Sequence, residues 1–258
     1  MSRRAFPDPR HVLVTGASSG IGAALARTYA APGVRLSLAG RNRARLAHVA
    51  EDCRDGGAEV STVELDVCDA AAMAGWVKEA DENLRLDLVI ANAGISGGTG
   101  GHSEPSDQVR SILAVNCSGV VNTVLPAIEA MRPRRYGQIA IVSSLAGFRG
   151  FPGAPAYCAS KAMVRVWGEA LRGDLAPVGI GVSVICPGYI DTPMTRTNRF
   201  PMPFLMSPAR AAAICRRGLA RNRPRVAFPW PTYFAVWLLA LLSPRLTDRL
   251  LQLLPAKE

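Results

Sequence analysis

Tyr157 and Lys161 stand four residues apart in the run Tyr157-Cys-Ala-Ser-Lys161, a spacing that puts a phenol and an ammonium on one face of a helix. A cation beside a phenol favours the phenolate and lowers its pKa from about 10, so such a tyrosine can give or take a proton near neutral pH. Thirteen residues earlier, Ser144 closes an apolar run, where its hydroxyl could hydrogen-bond a substrate oxygen. Each feature is ordinary alone, since Tyr and Lys meet at helical spacing by chance and Ser at a strand end commonly caps a turn. Together they point to proton transfer at an oxygen.

A second constellation is Thr15-Gly16-Ala17-Ser18-Ser19-Gly20-Ile21-Gly22, lying between an apolar run and an Ala-rich helical segment. The chain must turn tightly there, and Gly16, Gly20 and Gly22 let backbone N–H groups approach a pyrophosphate at a helix N-terminus. A Gly-rich turn by itself is a weak signal, and its strand–turn–helix setting is what raises it. The next strand ends Ala39-Gly40-Arg41, with no carboxylate to hold both ribose hydroxyls of NAD. Arg41 is instead placed for a charge-assisted contact with the 2′-phosphate of NADP(H). The plainer alternative is that Arg41, like Arg43 and Arg45, is a solvated residue at a helix start. Asp66 and Asn92-Ala93-Gly94 fall at strand ends along the same edge, where ligands of open α/β sheets bind.

These residues need a scaffold that sets strand ends side by side. Runs at 11–15, 34–39, 59–65, 86–91, 137–143, 181–185 and 225–228 read as strands. Helical patterns fill 21–31, 43–54, 70–82, 156–172 and a segment from Pro208; another follows the Gly-rich loop 94–101, with Ile112, Val115, Val120 and Leu125 on recurring faces. Strands read as continuous apolar runs alternating with helices imply an α/β fold, a single doubly wound parallel sheet of seven strands with helices on both faces.

Composition agrees. The chain has 258 residues, 49% hydrophobic and 19% charged, which excludes disorder and suits one domain. The six cysteines lie 15 or more residues apart with no C-x-x-C pair or clustered His, so no metal site and no disulfide framework is expected. The first ten residues lack the apolar core of a secretory signal, and a cytoplasmic location with reduced thiols is expected. The formal charge is +10, and residues 207–258 hold nine Lys and Arg against two Asp and Glu. No basic face with interleaved aromatics and no recognition motif accompanies that charge, so no nucleic acid is expected as a partner.

Taken in order and at their spacing, these residues closely resemble the short-chain dehydrogenase/reductase family over roughly residues 10–228. The motifs are Thr15 to Gly22, Asp66, Asn92-Ala93-Gly94, Asn116, Ser144, Tyr157-x-x-x-Lys161, and Pro187-Gly188 followed by Thr192. Ala91 departs from the family, which usually has a second Asn there. Of Ser143 and Ser144, the second lies at the family's distance from the tyrosine. The resemblance implies a Rossmann-type catalytic domain over 1–228 and hydride transfer at nicotinamide C4 between a small-molecule ketone or aldehyde and an alcohol. Tyr157 would move the proton and Ser144 would orient the oxygen. Lys161 would bind the nicotinamide ribose, Asn116 would hold a water that relays the proton, Asp66 would lie beside the adenine, and Thr192 would hold the carboxamide. The implied cofactor contacts also take in Val67 and Ile190. The rival classes are a dinucleotide-binding scaffold without catalysis, which has no need of Tyr157, and an adaptor driven by C-terminal charge.

Residues 229–258 form an apolar helical tail beyond the family core. Tyr233 to Leu242 spans ten residues, about half of a membrane crossing. In the following segment Leu246, Leu250, Leu253 and Leu254 share a face. Two readings stand side by side. Trp230, Tyr233, Phe234 and Trp237, next to Arg210, Arg216, Arg217, Arg221, Arg223 and Arg225, suit a peripheral anchor at the inner membrane surface. A tail packed over the pocket, or against a second subunit of a homo-oligomer, suits the same residues. The Met- and Phe-rich loop 192–206 points to an apolar or lipid-like substrate, or to a lid that closes over any substrate.

Overall fold

A computed structural model of the protein describes residues 5–100 and 102–252. Seven parallel strands form one sheet: β1 (His11–Thr15), β2 (Arg35–Gly40), β3 (Glu59–Glu64), β4 (Leu88–Ala91), β5 (Gly137–Val142), β6 (Ile180–Pro187) and β7 (Arg225–Phe228). Their order across the sheet is β3-β2-β1-β4-β5-β6-β7. The order reverses between β1 and β4, whose pairing sets Val14 beside Ile90. That reversal opens a crevice at the carboxyl ends of the strands, next to the Gly-rich turn.

Alternation along the strands divides the core into two layers. Val12, Val14, Leu36, Leu38, Leu88 and Ile90 face the layer built with α1 (Gly20–Tyr29), α2 (Arg43–Asp55) and α7 (Pro208–Ala220). Leu13, Val89, Ile139 and Ile141 face the layer built with α3 (Ala70–Asn83), α5 (Gly119–Met131) and α6 (Pro155–Leu175). Both faces of the central strands are therefore buried, which is why they read as unbroken apolar runs. The long helical stretch is not one regular helix. It consists of α4 (Ser106–Leu113), a π-helical turn (Ala114–Ser118) and α5. Ile112, Val115 and Val120 are buried as the periodicity predicts, whereas Leu125 is 46% exposed. Val120 and Leu125 both lie in α5, and their separation of five residues turns Leu125 well away from the buried face of that helix.

The tail folds as two helices, α8 (Trp230–Leu241) and α9 (Pro244–Gln252). It packs on the segment that follows Ser144. Tyr233 meets Phe148 edge to face at 5.4 Å, and Arg149 donates to the Thr247 hydroxyl at 2.5 Å. Val236 and Leu251 are buried. Leu246 is exposed instead of lying on a packed stripe; Leu253, Leu254 and the side chain of Leu250 are outside the described residues.

Of the arginines adjacent to the tail in sequence, Arg225 touches it by donating to the Tyr233 hydroxyl at 3.2 Å, while others lie away from it. Helix α7 runs from the carboxyl edge of the sheet back to its amino edge, so Arg221 and Arg223 sit at the start of β7, opposite the end where α8 begins. Arg216 lies over the Tyr29 ring of α1, and Arg225 pairs with Glu169.

Candidate active site

The Gly-rich turn connects β1 to α1 with Gly16 at φ +65° and Gly20 at φ +55°, left-handed conformations open to glycine without strain. Thr15 is buried behind the turn, and its Oγ1 accepts from Asn92 N at 3.1 Å and Ala93 N at 3.2 Å. The Asn92 amide donates to Thr15 O at 2.9 Å and Gly16 O at 3.2 Å. The ends of β1 and β4 are thus tied together at the crevice. A Cβ on Gly22 would collide with Gly16 O and the Asn92 amide, so α1 can approach this closely only with glycine there.

A cavity of about 610 Å³ runs along the carboxyl edge. Of the residues expected at the site, all line it except Thr15, Gly22 and Asn116, which support its wall from behind. At one end lie Ser18, Ser19, Arg41 and Asp66; at the other Ser144, Tyr157, Lys161 and Thr192. Gly20, Ile21, Val67, Ala93, Gly94, Pro187, Gly188 and Ile190 line its length. Asn42 and Arg45 join Arg41 at the first end, Arg45 from the first turn of α2, where the sequence alone also allows a solvated residue. Asp66 Oδ1 accepts from Cys68 N at 2.9 Å, which fixes the carboxylate beside Val67. The glycine cradle, the basic end and the absence of a side chain at Gly94 fit a dinucleotide: a Cβ there would reach within 3.2 Å of both Lys161 Nζ and Asn116 Oδ1.

Helix α6 carries Tyr157 and Lys161 on one face, with the Lys161 ammonium 5.8 Å from the Tyr157 ring centroid. Lys161 Nζ donates to Val142 O at 3.0 Å. Ser143 and Ser144 both line the cavity. Ser143 donates to Lys161 O at 2.7 Å, while Ser144 accepts from Ala146 N at 3.1 Å and donates to Pro187 O at 3.4 Å. Asn116 lies in the π turn and is buried. Its Oδ1 accepts from Ile95 N at 2.8 Å, and its Nδ2 donates to Ile95 O at 2.9 Å and Ser160 Oγ at 3.0 Å. Both amide hydrogens are therefore engaged by protein. Sequence reasoning did not find Glu104, whose carboxylate accepts from Ala156 N at 2.8 Å. The N-cap residue of α6, Ala154, has no side-chain hydrogen bond of its own, so a distant loop caps the helix. No local capping pattern could have shown this.

Electrostatics differ from the sequence expectation. Burial pushes the Tyr157 phenol up to about 12, opposed in part by its hydrogen bond with Ser144. Burial pushes the Lys161 ammonium down to about 8. Burial thus shifts both groups toward their neutral forms: the phenol stays protonated, while Lys161 loses its charge more readily than an ordinary lysine. A neutral phenol at this position is a proton donor.

The sequence matches the short chain dehydrogenase family over residues 10–201. The chain belongs to that family. Among relatives of this short-chain dehydrogenase, an uncharacterized oxidoreductase of Myxococcus xanthus is 42% identical over 222 residues, covering 86% of this chain and 88% of the relative. One from Mycobacterium tuberculosis is 35% identical over 243 residues, covering 92% and 96%. Among solved structures, a short-chain dehydrogenase from Sphingobium yanoikuyae in complex with NADPH superposes with a TM-score of 0.79 at 25% identity, covering 95% of this chain and 96% of that one. Levodione reductase superposes with the same TM-score and identity, covering 88% and 98%. The protein is thus an oxidoreductase of a family that binds a nicotinamide dinucleotide.

Proposed function

We propose that this short-chain dehydrogenase uses NADP(H) to interconvert a ketone or aldehyde with an alcohol, on an apolar substrate. The observation that carries the reading is the convergence of Ser144, Tyr157 and Lys161 at one end of a cavity whose other end holds Arg41 and Arg45. A bound nicotinamide dinucleotide supplies or accepts the hydride. Everything else belongs to this chain.

Ser144 Oγ orients the substrate oxygen beside the Tyr157 phenol. Tyr157, kept protonated by burial, gives its proton to that oxygen in reduction and takes it back in oxidation. Lys161 supplies a donor beside the phenol, held by its own bond to Val142 O. Arg41 and Arg45 place two guanidinium groups at the end where a 2′-phosphate would lie, and no carboxylate stands at the end of β2 to favour NAD. The NADPH complex of the Sphingobium protein supports the same preference. The loop after β6 adds Met194 to the cavity wall, in keeping with an apolar substrate.

The test is consumption of NADPH or NADH with a panel of ketones and aldehydes of increasing chain length, and formation of the reduced cofactors with the matching alcohols. Turnover with NADPH that rises with apolar size supports the reading. Equal use of NADH, or preference for small polar carbonyls, would refute its cofactor or substrate half respectively.

A further inference from the structure

Helix α8 buries only one side. Tyr233 and Val236 face inward, while Trp230, Phe234, Trp237, Leu238 and Leu241 are exposed, Trp230 at 73% and Leu241 at 63%. Their spacing makes one continuous stripe along the helix. Trp230 and Phe234 have ring centroids 6.5 Å apart, and Phe234 stacks on Trp237 at 6.0 Å. No charged residue lies between Arg225 and Arg245. A contiguous apolar surface of this kind on a folded chain marks an interaction site.

A second exposed apolar surface rises from the same edge of the sheet. The loop after β6 shows Met194, Phe204 and Leu205 to solvent. Both surfaces flank the cavity mouth, because Pro229, which leads into α8, abuts the cavity-lining Gly188: a Cβ there would lie 3.0 Å from Pro229 Cδ. The edge next to α8 and the loop is also basic: Arg210 in α7 and Arg245 in α9 are exposed there. Of the carboxylates at the carboxyl edge, Asp191 and Asp248 are within ion-pair reach of Arg196 and Arg149, while the exposed Glu64, Asp66, Asp69 and Asp107 belong to the end of β3 and the starts of α3 and α4.

We propose that α8 and the loop after β6 rest together on an anionic lipid bilayer, with α8 in the plane of the interface and the cavity mouth turned toward the acyl region. Twelve residues of helix span about 18 Å, short of the ~30 Å hydrocarbon core, so α8 lies in the surface. A bilayer can cover both apolar surfaces at once and still leave the mouth open to an apolar molecule dissolved in it. A second copy of the chain covering both would close the mouth. The basic edge complements anionic headgroups, and this attraction is screened by salt. The docking itself does not rest on the redox reading; only the route it offers to an apolar substrate does.

The full chain is sedimented with vesicles of phosphatidylcholine, with and without phosphatidylserine, at low and high salt. We expect it to pellet with the anionic vesicles at low salt and to be released as salt rises. The double variant Trp230→Ser/Phe234→Ser should bind at least about tenfold more weakly, from the loss of two inserted rings, with unchanged turnover of a water-soluble carbonyl. Leu241→Asp, at the other end of the stripe, should show a loss of the same direction. Wild-type protein that stays in the supernatant with anionic vesicles at low salt would overturn the proposal. So would a wild-type dimer that the double variant converts to monomer without any lipid binding, which would give the stripe to a second copy. Vesicle binding by a protein that turns over no carbonyl would uphold the docking and refute the redox reading.

Discussion

Replacing Asn116 by Ala tests whether the π turn is a built part of the site. The side chain is buried and makes three hydrogen bonds, two to the Ile95 backbone and one to Ser160. Ser160 in turn donates to Tyr157 O at 2.8 Å, so the amide links the loop after β4 to the helix that carries the proton donor. At about 1 kcal/mol for each bond, the variant loses roughly 3 kcal/mol. The Ile95 N–H is left without its acceptor in the interior, which adds about 1 kcal/mol or more. The expected destabilisation is therefore about 4 kcal/mol, read as a fall in the urea midpoint at constant slope. Turnover measured well below the transition should fall as well, because the amide's bond to Ser160, on the helix that carries Tyr157, is lost. A loss of less than about 1 kcal/mol would refute the reasoning, since it would mean that the loop and π turn hold their places without the amide.

Three further outcomes follow from the geometry. Arg41→Ala should weaken NADPH binding about tenfold to a hundredfold in a fluorescence titration and leave NADH nearly unchanged; equal losses would mean that Arg41 does not discriminate. Burial sets the Lys161 pKa near 8 in the folded chain against an ordinary value of 10.5, so between those pH values the unfolded chain binds more protons and stability rises with pH. The gain is of the order of 3 kcal/mol, and Lys161→Met should abolish the rise in melting temperature from pH 8 to pH 10. Tyr157 acts oppositely: its folded pKa near 12 exceeds the ordinary 10, so stability falls as pH rises through that window, and Tyr157→Phe should flatten the fall.

Much of this architecture is legible in the sequence because its signals are local. β1 and β7 occupy the runs that pattern alone marks out, and the Gly-rich turn declares itself through glycines that a close backbone approach requires. Ser143 and Ser144 both reach the cavity wall, and they differ in that the Ser143 hydroxyl is held by the Lys161 carbonyl. What the sequence hides is non-local. The π turn at Ala114–Ser118, which carries Asn116, has no residue-type signature that would mark it in the sequence. Glu104 caps α6 from fifty residues away in the chain. Arg221 and Arg223 look close to the tail only because sequence distance conceals the reversal of direction between α7 and β7, whereas Arg225 does reach Tyr233. The pKa of Tyr157 is missed for a related reason: spacing shows that a lysine is near, but burial, which outweighs it, is a property of the whole fold.

Tyr157→Phe tests the central claim most directly. The substitution removes the phenolic hydroxyl and keeps the ring that lines the cavity, so binding of NADPH should persist while turnover of the carbonyl substrate falls by at least about a hundredfold. Measured together, unchanged cofactor affinity and lost turnover are the result the proposed chemistry requires. Turnover equal to that of the wild type would show that the proton comes from elsewhere and would contradict the account.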